Sequence, residues 1–149
     1  MASQAAVVAR VTRRFSASAE RVFDAWLDPA KAGTFLFATA TGTMVRVDID
    51  ARIGGKFVFV DRRDGKDVPH TGEYLEIDRP RRLVFSLAVE MYAQDIDRVA
   101  IDIVPLASGC ELTLTHEMRP DWAEHRDRIQ AGWGEILEGL AITLGESEP

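Results

Sequence analysis

Three histidines and one cysteine are the side chains here best suited to chemistry at neutral pH. His116 stands apart because it falls among Leu112, Leu114 and Met118, on what reads as the apolar face of a strand. An imidazole in that position can orient a ligand or exchange a proton inside a cavity, since it titrates near neutrality. It can also be a strand-end histidine whose hydrogen bonds are satisfied locally, and this plainer role is the commoner one. His70, His116 and His125 show no metal-ligand spacing such as His-x-x-x-His. Asp121 and His125 lie one helical turn apart, but one carboxylate with one imidazole does not make a zinc site. No metal and no cofactor is expected. No Ser, His and Asp set reads as a triad, and Cys110 follows a turn with no basic neighbour to activate its thiol. Gly54-Gly55 is not followed by a helix, so it reads as a turn or bulge and not a phosphate loop. No catalytic residue is assigned.

The aromatic residues Trp26, Phe57, Phe59, Tyr74, Phe85 and Trp133 belong either to a solid core or to the wall of a pocket. A buried Tyr74 hydroxyl would need a partner.

These residues must be held by a small number of elements. Val7 to Phe15 is β-rich and ends at Ser16. Ser18 reads as an N-cap with Glu20 in the first turn, and Val22, Phe23, Trp26 and Leu27 make an apolar helical face. Asp28-Pro29 stops that helix and starts a short second one, from about Ala30 to Phe35. From Thr43 the period becomes two. Val45, Val47 and Ile49 alternate with charged residues, and Phe57 and Phe59 open the next strand. Asp64-Gly65 is a hairpin signal. Strands follow over Thr71 to Asp78, Arg82 to Val89, around Val99 to Ile103, and from Leu112 to Met118. Met91 to Asp97 reads as a loop. The chain closes with an amphipathic helix from Trp122 to Leu144, roughly 34 Å long, with a capping box at Asp121 and Glu124. Its stripe is Trp122, Ile129, Trp133, Ile136, Leu137, Leu140 and Leu144. Gly132 and Gly139 lie on one edge of that stripe. There a strand or loop comes close, or a cavity opens. The architecture is α+β: one antiparallel sheet of six to seven strands, about 29 Å wide for seven, crossed by the last helix.

A chain of 149 residues with 46% hydrophobic and 28% charged residues fits one globular domain spanning 1–149. The net charge of −6 is spread without a basic block, so neither nucleic acid nor an anionic membrane is expected as a partner. No apolar run approaches the ~18 residues of a membrane span. The Arg-bearing start, Met1 to Phe15, faintly resembles a transit peptide but reads better as a first strand. A single cysteine forbids an intrachain disulfide and suits a cytoplasmic location.

The ordered set of motifs resembles the START-like, or SRPBCC, helix-grip superfamily. Within it, the chain is most similar to bacterial proteins named after the activator of heat-shock protein 90 ATPase. The matching stretches are Ala17-Ser18-Ala19-Glu20-Arg21-Val22-Phe23-Asp24-Ala25-Trp26, Asp28-Pro29, Gly54-Gly55-Lys56-Phe57, Gly72-Glu73-Tyr74-Leu75-Glu76-Ile77-Asp78, Arg81-Arg82-Leu83-Val84-Phe85, and Gly132-Trp133 through Leu140. The family usually has Trp in the short second helix where this chain has Phe35. The resemblance implies a curved antiparallel sheet gripping the long C-terminal helix, with two short helices after the first strand and a cavity in the grip. Members bind or transform apolar small molecules.

The expected function is therefore to hold a hydrophobic or amphipathic small molecule between sheet and helix. The expected ligand-binding residues are Phe57, Phe59, Tyr74, Phe85, Leu87, Ile101, Leu112, Leu114, His116, Met118, Trp133 and Leu137, with His116 and Tyr74 as the polar groups. A cyclase- or hydrolase-type enzyme in the same cavity is the alternative, and a buried His116 beside a carboxylate would favour it. A chaperone-linked interaction module is a third reading. The eukaryotic co-chaperone uses an additional N-terminal domain that 149 residues leave no room for, which counts against it. Uncovered edge strands leave a homodimer open.

Overall fold

Alternation of apolar and polar residues produces a sheet with one face to bury, and two capped helices carry the chain across that face. The computed structural model describes residues 7–37, 42–89 and 97–145. Strand β1 (Val7–Phe15) is followed by helices α1 (Ala19–Leu27) and α2 (Pro29–Phe35). Then come β2 (Thr43–Ile49), β3 (Lys56–Arg63), β4 (Lys66–Asp78), β5 (Arg82–Val89), β6 (Asp97–Pro105) and β7 (Cys110–Met118). A 3-10 turn (Pro120–His125) leads into helix α3 (Arg126–Thr143). The seven strands form one antiparallel sheet in the order β1-β7-β6-β5-β4-β3-β2. The fold is α+β, a curved sheet wrapped on the C-terminal helix, as the sequence predicts. Because β1 and β2 occupy opposite edges, α1 and α2 have to span the sheet between them.

Both short helices start where the sequence places their caps. Ser18 Oγ accepts from the Arg21 N–H at 3.2 Å, and Asp28 Oδ1 accepts from the Ala30 N–H at 3.0 Å with Pro29 in the first turn. The core joins Val22, Phe23 and Trp26 of α1 to Leu83, Ile101, Leu112 and Leu114 of the sheet and to Leu137 and Leu140 of α3. Polar ties hold the helices in place. Gln130 Oε1 of α3 accepts from the Arg10 N–H of edge strand β1 at 3.1 Å, and Arg21 Nη2 donates to the Leu144 carbonyl at 3.2 Å. Arg79 grips Asp24 of α1 with two bonds of 2.7 and 2.9 Å.

Three elements differ from the sequence expectation. Strand β4 starts at Lys66 and not at Thr71, running through Pro69. Pro69 lies opposite Val60 of β3, and among the described residues the β4–β5 pairing runs from His70 with Val89. In β2 a register shift between Met44 and Arg46 breaks the alternation and leaves Val45 41% exposed. The last helix begins at Arg126. Its first turn is 3-10, and the N-cap position, His125, makes no side-chain cap bond, so the Asp121–Glu124 box does not start it. At 1.5 Å per residue α3 is about 27 Å long, slightly less than the sheet is wide. The expected loop over 91–97 lies outside the described residues except Asp97, which opens β6.

Two glycines should respond oppositely to alanine. A Cβ on Gly134 meets nothing within 4 Å, so Gly134→Ala should stabilise by about 1 kcal/mol through helix propensity alone. A Cβ on Gly72 would enter the Phe57 ring and the Ser86 carbonyl, so Gly72→Ala should destabilise by about 2 kcal/mol or more. Urea unfolding of the two variants measures both.

Candidate functional site

The inward rows of β3 and β4 set up the site. On β3 these are Phe57, Phe59, Asp61 and Arg63, and on β4 they are Val68, His70, Gly72 and Tyr74. Phe59 is opposite His70, and Asp61 is opposite Val68. One end of this surface is filled. There Trp26, Leu36, Phe57, Phe59, Tyr74, Leu83 and Phe85 surround a void of only ≈10 Å³, room for about one water. Phe57, Tyr74 and Phe85 pack ring against ring at 5.3–6.5 Å. Burial among them pushes the Tyr74 hydroxyl's pKa well up.

The other end is open. A cleft of ≈430 Å³ lies between α3 and the sheet. Thr34, Phe35 and Phe37 form its α2 side, and Arg63, His70, Leu87 and His116 form the strand wall. Helix α3 contributes Ile129, Gly132, Trp133, Glu135, Ile136 and Gly139. The two glycines act differently. A Cβ on Gly139 would sit 3.2 Å from Phe35 Cβ, marking a close approach of α2, whereas a Cβ on Gly132 meets nothing within 4 Å and the cleft opens there. Phe37 ends α2's side of the cleft with its backbone in the left-handed region, at φ 59°. Its carbonyl accepts from Arg63 Nη2 at 3.3 Å, and its ring lies parallel to His70 at 4.6 Å.

His116 is buried, 5% exposed, and both ring nitrogens are engaged. Trp133 Nε1–H donates to His116 Nδ1 at 2.8 Å, and His116 Nε2 lies 2.7 Å from Asp97 Oδ2. An indole N–H can only donate, so Nδ1 carries the lone pair and the hydrogen of the neutral ring sits on Nε2, aimed at Asp97. Asp97 reaches His116 diagonally, since Val99 is the residue directly opposite. The chain Trp133–His116–Asp97 thus ties the helix to β7 and β6.

His70 is arranged the other way round. Nδ1 lies 3.1 Å from the Val68 carbonyl, an acceptor, so the hydrogen sits on Nδ1 and the lone pair on Nε2. Nε2 makes no bond of hydrogen-bonding geometry among the described residues; the Phe59 carbonyl also lies near the ring, which lines the cleft. Burial, followed by the positive charge of Arg63, depresses its pKa from 6.5 to about 4, against the opposing pull of the Val68 and Phe59 carbonyls and Asp61. The ring is neutral at physiological pH. Arg63 itself is paired with buried Asp61 at 2.8 Å.

Of the residues proposed from sequence, Leu87, His116 and Trp133 meet at the cleft. Phe57, Phe59, Tyr74 and Phe85 surround the filled end. Ile101, Leu112, Leu114 and Leu137 are sealed in the core, and Met118 is buried at the end of β7, opposite Val7. Sequence reasoning passed over His70, Phe37, Arg63 and the α3 residues Ile129 and Ile136 as wall residues. The signal for His70 was present: with β4 started after Asp64-Gly65, Val68, His70 and Tyr74 fall into one alternating row. Among the described residues no group of three His, Cys, Asp or Glu side chains could hold a metal ion. No helix among them is long and apolar enough to cross a membrane.

A seven-stranded antiparallel sheet holding a long C-terminal helix, with two short helices after the first strand, defines a helix-grip domain. The chain belongs to the family described as activator of Hsp90 ATPase homolog 1-like protein, whose model matches residues 16–145. Protein CV1439 from Chromobacterium violaceum is similar in structure, with TM-score 0.84, 28% identity, and 95% and 98% of the two chains covered. A Staphylococcus aureus protein of unknown function, SA2116, has TM-score 0.82 at 15% identity over 94% of each chain. An AHSA1-like protein from Aeromonas hydrophila has TM-score 0.78 at 18% identity, over 93% and 92%. The latter two show the fold alone. No curated protein matches the chain.

Two measurements check this geometry. Long-range proton–nitrogen correlation spectra at neutral pH should show opposite tautomers, Nε2–H for His116 and Nδ1–H for His70. The lowered pKa of His70 also has a thermodynamic signature. Between pH 6.5 and about 4 the unfolded chain takes up a proton that the folded ring refuses, so stability falls as pH drops through that window. The loss should reach about 3 kcal/mol. A His70→Phe variant should lose this part of the slope in pH-dependent urea unfolding.

Proposed function

We propose that this protein binds an apolar or amphipathic small molecule in the cleft between α3 and the sheet. The carrying observation is the ≈430 Å³ cleft itself, lined by Phe35, Phe37, Leu87, Ile129, Trp133 and Ile136 with a few polar groups between them. Its volume falls in the range of about 300–1,000 Å³ usual for small-molecule sites, and so does its balance of apolar wall to sparse polar groups. Apolar burial, at about 25 cal/mol per Å², supplies the binding free energy, and the polar groups set orientation. Of the residues expected from sequence, the reading keeps Leu87, His116 and Trp133 as direct wall residues. The aromatic cluster at the filled end supports them from behind.

The buried Asp97–His116 pair is the observation that favours an enzyme. A general base needs a free lone pair facing the proton it takes. On His116 that lone pair already accepts from Trp133, which supports binding over catalysis. We place the protein in the cytoplasm on its single, buried cysteine. We assign it neither a chaperone nor a nucleic acid as partner.

Native mass spectrometry of the purified protein should show a retained ligand, or uptake of an added apolar probe such as 1-anilinonaphthalene-8-sulfonate. A Cβ on Gly132 meets nothing within 4 Å, so the Gly132→Leu side chain starts in open space at the cleft. It should lower probe affinity at least tenfold while leaving the unfolding midpoint unchanged or raised. Unaltered affinity in a folded Gly132→Leu protein would place the probe elsewhere and remove the reading.

A further inference from the structure

Among the buried polar groups lining the cleft, His70 offers an open hydrogen-bonding position that the sequence did not point to; Glu135, which also lines it, is solvent-exposed. His116 is closed on both nitrogens, by Trp133 and by Asp97. Thr34 Oγ1 is engaged with the Lys31 carbonyl and with Thr143, each at 2.6 Å. Arg63 is committed to Asp61 and to the Phe37 carbonyl. His70 differs: its Nδ1 is fixed on Val68, its ring is 6% exposed on the cleft wall with the Phe59 carbonyl also near it, and its Nε2 makes no bond of hydrogen-bonding geometry among the described residues.

We propose that His70 Nε2 is the acceptor that orients the ligand, and that the ligand is an apolar molecule carrying a hydroxyl or N–H donor. This deepens the small-molecule reading above and rests on it. The donor requirement follows from the tautomer. With Nδ1–H held by an acceptor, Nε2 offers only a lone pair, and a neutral imidazole cannot donate from it. Burial keeps the ring neutral to about pH 4, so the acceptor persists at physiological pH. An ionised carboxylate or phosphate has no hydrogen to give to that lone pair, whereas an alcohol, phenol or heteroaromatic N–H has one. The Phe37 and Trp133 rings and the Leu87, Ile129 and Ile136 side chains make the rest of the wall apolar. A site whose buried acceptor needs a donor rejects the analogue lacking one, because binding it leaves the acceptor unpaired.

The test compares 2-naphthol with 2-methoxynaphthalene, which has the same ring system and no donor, by calorimetry on wild type and His70→Phe. Wild type should favour 2-naphthol about five- to tenfold, the worth of one neutral hydrogen bond. His70→Phe should bring the ratio near one while retaining 2-methoxynaphthalene binding. Independently of any variant, adding 2-naphthol to wild type should move the His70 Nε2 nitrogen resonance upfield, as an accepted hydrogen bond does, and leave His116 in place. Equal affinities in wild type, a preference that survives in His70→Phe, or an unmoved Nε2 resonance overturns the His70 assignment alone. If neither ring binds wild type, the cleft reading falls and takes the assignment with it.

Discussion

The constraint beneath this structure is an imbalance of coverage. Seven strands expose one apolar face about 29 Å across, and the chain has one long helix of about 27 Å and two short ones to bury it. Helix α3 runs over the width but is only about 10 Å thick. Helices α1 and α2 enter at one end of the strands, where Trp26 and Leu36 complete the packing of Phe57, Tyr74 and Phe85. At the end marked by His70, Leu87 and His116 the chain after α2 contributes Phe37, and among the described residues a cleft remains there. Among the described residues, a packed end and a cleft thus share one face of the sheet.

Two histidines on that open end show how neighbours decide what one residue type can do. His116 faces a donor and a carboxylate, so every hydrogen-bonding position is used and the ring works as a strut between helix and sheet. His70 faces a carbonyl on one side and the cleft on the other, so one position is left over. The strut has a further effect. Trp133 forms part of the cleft wall, and fixing its indole nitrogen fixes the shape of that wall.

The sequence carried the architecture well because its signals are local. Ser18 and Asp28 cap the helices they precede, and Asp64-Gly65 turns the β3–β4 hairpin. The misreadings have physical causes of the same scale. The strand expected from Thr71 starts at Lys66 and runs through Pro69, a residue that cannot donate to the ladder and so weakens the strand signal there. Asp121 and Glu124 have the spacing of a capping box, but the turn they occupy is 3-10. The site was less legible. Alternation says which residues face inward, and His116, Leu87 and Trp133 were found that way. It does not say how far along a strand the covering helices extend, so Ile101, Leu112 and Leu114 look the same in sequence as residues lining a cavity. Phe37 and Arg63 depend on contacts between β3 and the chain after α2, which no local pattern announces.

The placement of the three tryptophans makes the molecule its own optical instrument. Trp26 is enclosed in the filled end with an indole N–H that has no partner among the described residues. Trp122 sits in the 3-10 turn against His125, 5.2 Å between ring centres. Trp133 alone stands on the cleft wall, bonded to an imidazole. The three indoles therefore sit in three different settings, the packed end, the half-buried 3-10 turn and the cleft wall. Only the last shares its immediate surroundings with whatever enters the cleft.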